Sequence, residues 1–291
     1  MLQNRLASSA WQRSAHRAPS LSACLGLAYA LLTLGLSSAP PALAGPFTEL
    51  GWDPSAMVGW ASAVDDFVAG PMDVTQPALG VASFGLPENA LGPVTADNSD
   101  VVSLGDAGTI TLSFAAGIGD GVGDDFAVFE NSFFTVGGLF AEFAFVEVSS
   151  NGVDFARLPA TSLNPFAVAS FDPVDPTDYH NLGGDQAFGL GTGFDLRGVA
   201  NDPLVLGGDV DLTDIRYVRL VDVIGDGSTL DEAGSPIFDP YPTAFSSGGF
   251  DLDAVGVIYD APEPGLVVSL AVGALSLAAR HAGRCRCDGA G

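Results

Sequence analysis

The sequence contains no lysine, and basic residues of any kind are scarce in its long central part. Between Gly45 and Asp260 the only cationic side chains besides His180 are four arginines, and this stretch holds all but two of the chain's 35 acidic residues. A surface of this charge repels nucleic acid and anionic lipid, so no nucleic-acid partner is expected. Self-repulsion also predicts a dependence on screening by salt or divalent ions.

The same central part lacks cysteine, since Cys24 precedes it and Cys285 and Cys287 follow it. Its single histidine, His180, is interpreted as a loop residue. Zinc sites and Cys–His nucleophile pairs are therefore nearly excluded, and no Gly-x-Ser-x-Gly motif offers a serine nucleophile. A glycosidase needs only two carboxylates, which leaves a glycan hydrolase or lyase open as an alternative to a non-enzyme.

The beginning of the chain has the pattern of a secretory signal peptide. Three arginines precede an apolar run over residues 21–36, and Ala42 and Ala44 flank Leu43 in a small-residue cleavage site. This order predicts a signal helix and a removable segment over residues 1–44. The remaining chain is expected to be exported.

The other end has three parts in sequence. Pro262-Glu263-Pro264-Gly265 is followed by an apolar run over residues 266–279 and then by Arg280, Arg284 and Arg286. Residues 262–291 thereby resemble the PEP-CTERM sorting signal, which implies processing by an exosortase-type enzyme. It also implies transient anchoring in the inner membrane with the arginines in the cytoplasm, before delivery to the cell surface or extracellular matrix. A permanent anchor is the alternative, but the apolar run is shorter than the ~20 residues of a spanning helix.

Residues 45–261 combine short apolar stretches with many Gly and Asp turns, a pattern typical of an all-β domain. We expect an antiparallel β-sandwich of jelly-roll type, with the signal helix before it and a short C-terminal hydrophobic helix after it. A short helix around Ala56–Phe67 is also predicted, because Asp53-Pro54 is a helix-start signal. The predicted strands are Val101–Leu104, Thr109–Ala115, Phe126–Asn131, Ala141–Ser149, Phe155–Leu158, Arg216–Val223 and Ala254–Asp260.

Asn151-Gly152, which follows the strand ending at Ser149, predicts a tight type I′ hairpin. Together with the later strand Arg216-Tyr217-Val218-Arg219, it resembles the discoidin-like, galactose-binding-type jelly rolls. That resemblance implies their fold and an association with carbohydrate. The segment between the two motifs, Thr161 to Asp209, is predicted to be a long loop-rich insertion.

Acidic residues gather at Gly-rich turns in three places, where calcium is the expected ion. Calcium takes six to eight oxygen ligands from a sharply turning backbone. Alternation along a strand places Asp251 and Asp253 on one face, where they either hold one ion or repel each other. Capping of turns is the alternative for every cluster. The candidate ligands are Asp120, Asp124, Asp125 and Glu130 in the first cluster, Asp222, Asp226 and Asp231 in the second, and Asp251 and Asp253 in the third.

Eight aromatic residues in or beside loops are candidates for stacking on saccharide rings. Four are the predicted ligand-binding residues, Phe133, Phe134, Tyr179 and Tyr241, and the others are Trp52, Trp60, Phe140 and Phe245. Packing in the core is the alternative for each. The sequence as a whole predicts an exported, non-catalytic surface or matrix protein, stabilised by Ca²⁺ and associated with extracellular polysaccharide. A glycan hydrolase or lyase and a purely structural acidic matrix protein are the two alternatives.

Overall fold

The computed structural model describes residues 45–95 and 97–262. Residues 1–44 and the residues after Pro262 lie outside the described part, and with them the predicted signal helix, sorting tail and C-terminal hydrophobic helix. The described strands are β1 (Gly59–Trp60), β2 (Ala63–Val68), β3 (Val102–Ser103), β4 (Thr109–Ile118), β5 (Phe126–Glu130), β6 (Phe133–Thr135), β7 (Gly138–Phe140), β8 (Ala144–Ser149), β9 (Ala156–Arg157), β10 (Thr161–Ser162), β11 (Val168–Ala169), β12 (Tyr179–His180), β13 (Gly191–Phe194), β14 (Ile215–Asp222), β15 (Asp226–Leu230), β16 (Pro236–Phe238), β17 (Pro240–Tyr241) and β18 (Asp251–Val257). The described helices are the short α1 (Pro203–Gly207) and the 3-10 turns η1 (Pro54–Ala56), η2 (Pro77–Leu79), η3 (Pro87–Ala90), η4 (Pro176–Asp178) and η5 (Leu196–Val199).

Two antiparallel sheets form the body of the domain. Sheet A has the order β1-β18-β5-β13, with β3 also paired to β18, and sheet B has the order β2-β4-β14-β8-β9. One hydrophobic core combines Val128 and Leu252 of sheet A with Leu112, Val146 and Val218 of sheet B. The prediction of an all-β, sandwich-like protein is therefore confirmed.

Sheet A is covered on both faces. In β5, Phe126 and Val128 belong to the core between the sheets, whereas Ala127 and Phe129 pack with Trp52 on the opposite side. Every residue of β5 is buried, so the strand reads as an apolar run without alternation. The chain around Trp52 thus forms a cover over the outer face of sheet A.

All seven predicted strands have a counterpart in the structure, but the predicted helix is wrong. Residues 54–56 form a single 3-10 turn, and Ala63–Val68 is the strand β2 at the edge of sheet B. A β-bulge between Val64 and Asp66 adds one residue to this strand. Val64 and Phe67 consequently contact the core at a spacing of three, which imitates helical periodicity.

The predicted hairpin is present, but its tight turn is not. β8 and β9 pair with Glu147 opposite Arg157 and Val148 opposite Ala156, so residues 149–155 form the connection. The side chain of Asn151 accepts hydrogen bonds from the Val153 and Asp154 amides instead of closing a two-residue turn. An Asx-type loop replaces the type I′ geometry.

The long segment from Thr161 to Asp209 contributes one full strand to the sandwich as well as loops. Its strand β13 pairs with β5, and Phe194 lies opposite Phe126. The amide and carbonyl of Trp52 bond in turn to Gly191 of β13. This pairing brings the start of the described chain, the loop before β5 and the turn after β13 to the same end of sheet A.

Candidate functional site

Three carboxylates converge at that end of sheet A. Each of Asp120, Asp125 and Asp195 offers one ligand oxygen, and these oxygens lie within 4.8 Å of one another. Asp125 immediately precedes β5 and Asp195 immediately follows β13, so the pairing of Phe126 with Phe194 places them side by side. We call these three residues the acidic triad.

The buried member of the triad is Asp125, and backbone amides hold it in place. Its Oδ1 accepts the Gly121 N–H at 2.6 Å, and its Oδ2 accepts the Leu196 N–H at 2.8 Å. Burial raises the pKa of Asp125, in spite of these hydrogen bonds. The Arg197 guanidinium lies 3.2 Å from Asp120 and supplies the positive charge of the triad in this structure.

The other two residues of the first predicted cluster lie elsewhere. The Trp52 indole N–H donates to Asp124 at 2.7 Å, and Asp124 is not among the carboxylates that converge in the triad. Glu130 is at the far end of β5, where its Oε2 accepts the Ser132 N–H. Asp195 was missed because its place in the triad depends on the β5–β13 register, which no local motif reveals.

The second predicted cluster is divided among separate places. Asp222 is buried and accepts the amides of Phe250 and Ala107, at 2.6 Å and 3.0 Å. Asp231 caps a turn through the amides of Ala233 and Ser235, and the exposed Asp226 accepts from the Ser228 amide. Asp226 and Asp231 therefore cap turns, which was the alternative to calcium binding for these residues.

Asp251 and Asp253 have different surroundings, although both lie in β18. The register with β5 shifts between Leu252 and Ala254, so Asp253 is the extra residue of a β-bulge. Asp251 accepts hydrogen bonds from Ser103 and Asn131. Asp253 is buried, its Oδ2 has no hydrogen-bond partner among the described residues, and burial raises its pKa to about 7.

Asp251 belongs to a series of buried carboxylates that we call the buried acid cluster. Burial is the main cause that raises the pKa of each member. Repulsion from another member adds to it in Glu130, Glu142 and Asp222, and repulsion from Asp106 and Asp226 adds to it in Asp239. Backbone amides, such as that of Phe143 on Asp239 at 2.9 Å, satisfy part of their hydrogen-bonding capacity. The members are Glu130, Glu142, Asp222, Asp239 and Asp251.

A cavity of about 420 Å³, the aromatic cleft, opens over one edge of this cluster. Two pairs of rings line it: Phe133 stacks on Phe140 at 5.1 Å, and Phe171 packs against Phe245 at 5.9 Å. Its remaining lining is polar and includes Asn98, Asn131, Thr135, Glu142, Thr243, Ser247 and Asp251.

The four predicted ligand-binding residues have different exposures. Phe133 is 51% exposed in the aromatic cleft, and Phe134 is 74% exposed beside a separate pocket of about 200 Å³. Tyr179 is 1% exposed and donates to the Phe238 carbonyl at 2.6 Å, so it is a core residue and not a platform. The Tyr241 hydroxyl donates to Asp73.

A second cavity, of about 790 Å³, lies beside the acidic triad, and we call it the polar cleft. His180 is hydrogen-bonded to Glu49 within it, and the Phe47 ring stacks on the imidazole at 5.0 Å. The hydrogen bond to Glu49 raises the pKa of His180, and burial raises the pKa of Asp124. The polar cleft also contains Trp52, Asn181 and Asp195.

The sequence offered no signal for the polar cleft. Glu49 and His180 are separated by 131 positions, and His180 was interpreted as a simple loop residue. Among the predicted processing residues, Pro262 is described and exposed. Ala42, Ala44, Glu263, Pro264, Gly265, Arg280, Arg284 and Arg286 lie outside the described residues.

Comparison of the chain with models of protein families gives no match, and comparison with curated proteins gives none either. Within residues 45–95 and 97–262, no helix is long and apolar enough to cross a membrane. The case for a function therefore depends on the chemistry of the acidic triad and the two clefts.

Proposed function

We propose that this chain is an exported, non-catalytic surface or matrix protein of jelly-roll type that binds extracellular polysaccharide in its aromatic cleft. The observation that carries the proposal is the pairing of exposed phenylalanine rings with hydrogen-bonding side chains in one cavity. Sugar rings present apolar C–H faces and hydroxyl edges, and a binding site for them needs both kinds of group. The export signals in the sequence and the resemblance to galactose-binding-type jelly rolls point in the same direction.

The proposal includes one calcium site at the acidic triad. Three carboxylates from two loops supply hard oxygen ligands, and Gly123, with a φ of 79°, allows the first loop to turn sharply. Asp125 would contribute the buried ligand, since its two amide bonds fix its orientation. A bound cation would replace Arg197 as the partner of Asp120 and join the 119–125 loop to the turn after β13.

Thermal unfolding of the purified full chain tests the calcium site. We expect calcium to raise Tm in a saturable way above EDTA, beyond the effect of magnesium at equal ionic strength, because a ligand of the folded state stabilises it. Asp195→Asn should abolish the calcium-specific part, whereas Asp66→Asn, an exposed residue on β2, should retain it. Equal shifts in both variants would reduce the effect to general screening.

Retention of the full chain on immobilised neutral, acidic and amino polysaccharides tests the glycan site. Phe171→Ala should weaken retention, and Phe166→Ala, which removes a similarly exposed ring outside the cleft, should not. Absence of retention on every polysaccharide, with calcium-dependent self-association present, would favour the purely structural matrix protein.

The polar cleft favours a glycan hydrolase as the second candidate function. Asp124, Glu49 and Asp195 surround one cavity, and burial gives Asp124 the raised pKa that a general acid requires. Release of reducing ends from a polysaccharide by the full chain, lost in Asp124→Asn and retained in Asp66→Asn, would establish catalysis. Intact polymer after prolonged incubation would eliminate it.

A further inference from the structure

The ionisable groups that line the aromatic cleft are all carboxyl groups. Glu142 and Asp251 line the cavity at only 6% and 7% exposure, and the other polar groups of the lining are uncharged amides and hydroxyls. Carboxylates held this far from water attract a cation strongly, because little solvent screens them.

Other members of the buried acid cluster increase the negative potential around Glu142 and Asp251. Asp239 repels the charge of both Glu130 and Glu142, and Asp222 repels that of Glu142. No arginine of the described residues compensates them, since all four pair elsewhere. These pairs are Arg157 and Arg219 with Glu147, Arg197 with Asp120, and Arg216 with Asp214. Within residues 45–95 and 97–262, the buried acid cluster therefore has no arginine partner.

The walls of the cleft suit a cation that is attached to an apolar ring. The face of an aromatic ring is the negative end of its quadrupole and attracts a cation within about 6 Å. The same faces accept the C–H groups of a sugar. Phe171, which is 70% exposed, and Phe245 offer such faces at the entrance.

We propose that the aromatic cleft binds a sugar with a free amino group, whose ammonium donates to Glu142 and Asp251 while its ring packs on Phe171 and Phe245. An ammonium group has three N–H donors, and each carboxylate oxygen keeps a lone pair besides its present bond. This inference rests on the proposed glycan function and names the class of sugar. N-acetylation would remove the charge, and a quaternary ammonium would lack the donors.

Calorimetric titration of the full chain with a short glucosamine oligomer tests the inference, in calcium throughout. The N-acetylated oligomer and tetramethylammonium are the comparison ligands. We expect the free amine to bind at least tenfold more tightly than either, as is usual for a buried, hydrogen-bonded charge pair. Binding should also release protons to the buffer, because burial holds the pKa of Glu142 high until a cation arrives.

Matched variants distinguish binding of the amine in the aromatic cleft from the general attraction of an acidic protein for a cation. Glu142→Gln keeps an oxygen that accepts the Gly249 amide and should lose at least tenfold in affinity. Glu88→Gln makes the same charge change at an exposed position and should lose almost nothing. Equal losses in the two variants, with unchanged Tm, would overturn the assignment of the amine to this cleft.

The two proposals fail in distinguishable ways. Equal affinity for the free and the acetylated oligomer, reduced by Phe171→Ala in both cases, would overturn the amine inference and leave the glycan function standing. Tight binding of tetramethylammonium without binding of the oligomers would overturn both, because it would make the cleft a site for simple organic cations.

Discussion

Replacement of Asp251 by Asn should stabilise the protein above neutral pH and leave it nearly unchanged in acid. Burial raises the pKa of Asp251 from an ordinary value near 3.8 to about 6. The folded state therefore binds this proton more tightly than the unfolded state, and the unfolding free energy falls as pH rises through the window from about 4 to 6. Each unit of pKa difference corresponds to about 1.36 kcal/mol, so ionised Asp251 costs up to about 3 kcal/mol above this window.

The asparagine variant does not incur this cost. Its side chain can still bond to Ser103 and Asn131, because an amide has both a donor and an acceptor. Removal of the Asp251 charge also relieves Glu130 and Glu142, whose pKa values it raises. We expect a gain of about 1–3 kcal/mol at pH 8, after the cost of imperfect hydrogen bonding is subtracted.

Urea denaturation in EDTA at pH 4.5 and pH 8 measures the unfolding free energy of the variant and of the unsubstituted protein at each pH. The control is Asp66→Asn, which removes an exposed charge and should shift stability by less than about 0.5 kcal/mol at either pH. If Asp251→Asn changes stability equally at both pH values, the charge is not what costs stability, and the reasoning about the buried acid cluster fails. The stabilised variant should also bind glucosamine oligomers more weakly, since it lacks one carboxylate of the cleft.

Two further substitutions test the packing around the sites. Gly193→Ala would place a Cβ 2.0 Å from Asp124 Oδ2 and 2.6 Å from Trp52 Nε1. The substitution should therefore break the hydrogen bond between Trp52 and Asp124, change tryptophan fluorescence and lower Tm. Gly59→Ala is the control: its Cβ has ordinary contacts beginning at 3.6 Å, so it should leave both signals unchanged. Glu147→Gln removes a buried carboxylate that pairs with Arg157 at 2.8 Å and Arg219 at 2.5 Å, and it should cost roughly 1–3 kcal/mol in urea denaturation, allowing for the partial exposure of both arginines. A cost below about 0.5 kcal/mol at low salt would show that the stacking of the arginines on Phe145 and Phe155 holds them without the charge pair.

The sandwich-like fold could be predicted because its main strands have recognisable local sequence patterns. β14 alternates between buried and less buried residues, and β5 is a short apolar run bounded by Asp and Asn. The false helix at residues 56–67 has an equally local cause, since the bulge in β2 shifts the period of its apolar residues from two to three. A bulge is defined by the pairing with the partner strand, and the spacing of residues within one segment gives no information about that pairing.

The sites were harder to predict, because each assembles residues from distant parts of the chain. Asp120 and Asp125 were expected to share a cation, but Asp195 joins them only through the β5–β13 register. Phe133 was expected at a ligand surface, yet its partners Phe171 and Phe245 come from other loops. In a chain this rich in aspartate, proximity in sequence could not separate turn caps such as Asp231 from buried acids such as Asp222.

The place of β18 in sheet A has a consequence for the order in which the protein can fold. β18 is the last described strand, and β1, β3 and β5 all pair with it. A nascent chain that ends before Val257 lacks the strand to which these three are hydrogen-bonded, so sheet A cannot be completed while synthesis continues. Such long-range pairing is slow to form. The topology thus delays completion of sheet A until β18 has been synthesised, whereas the strands of sheet B are all available before it.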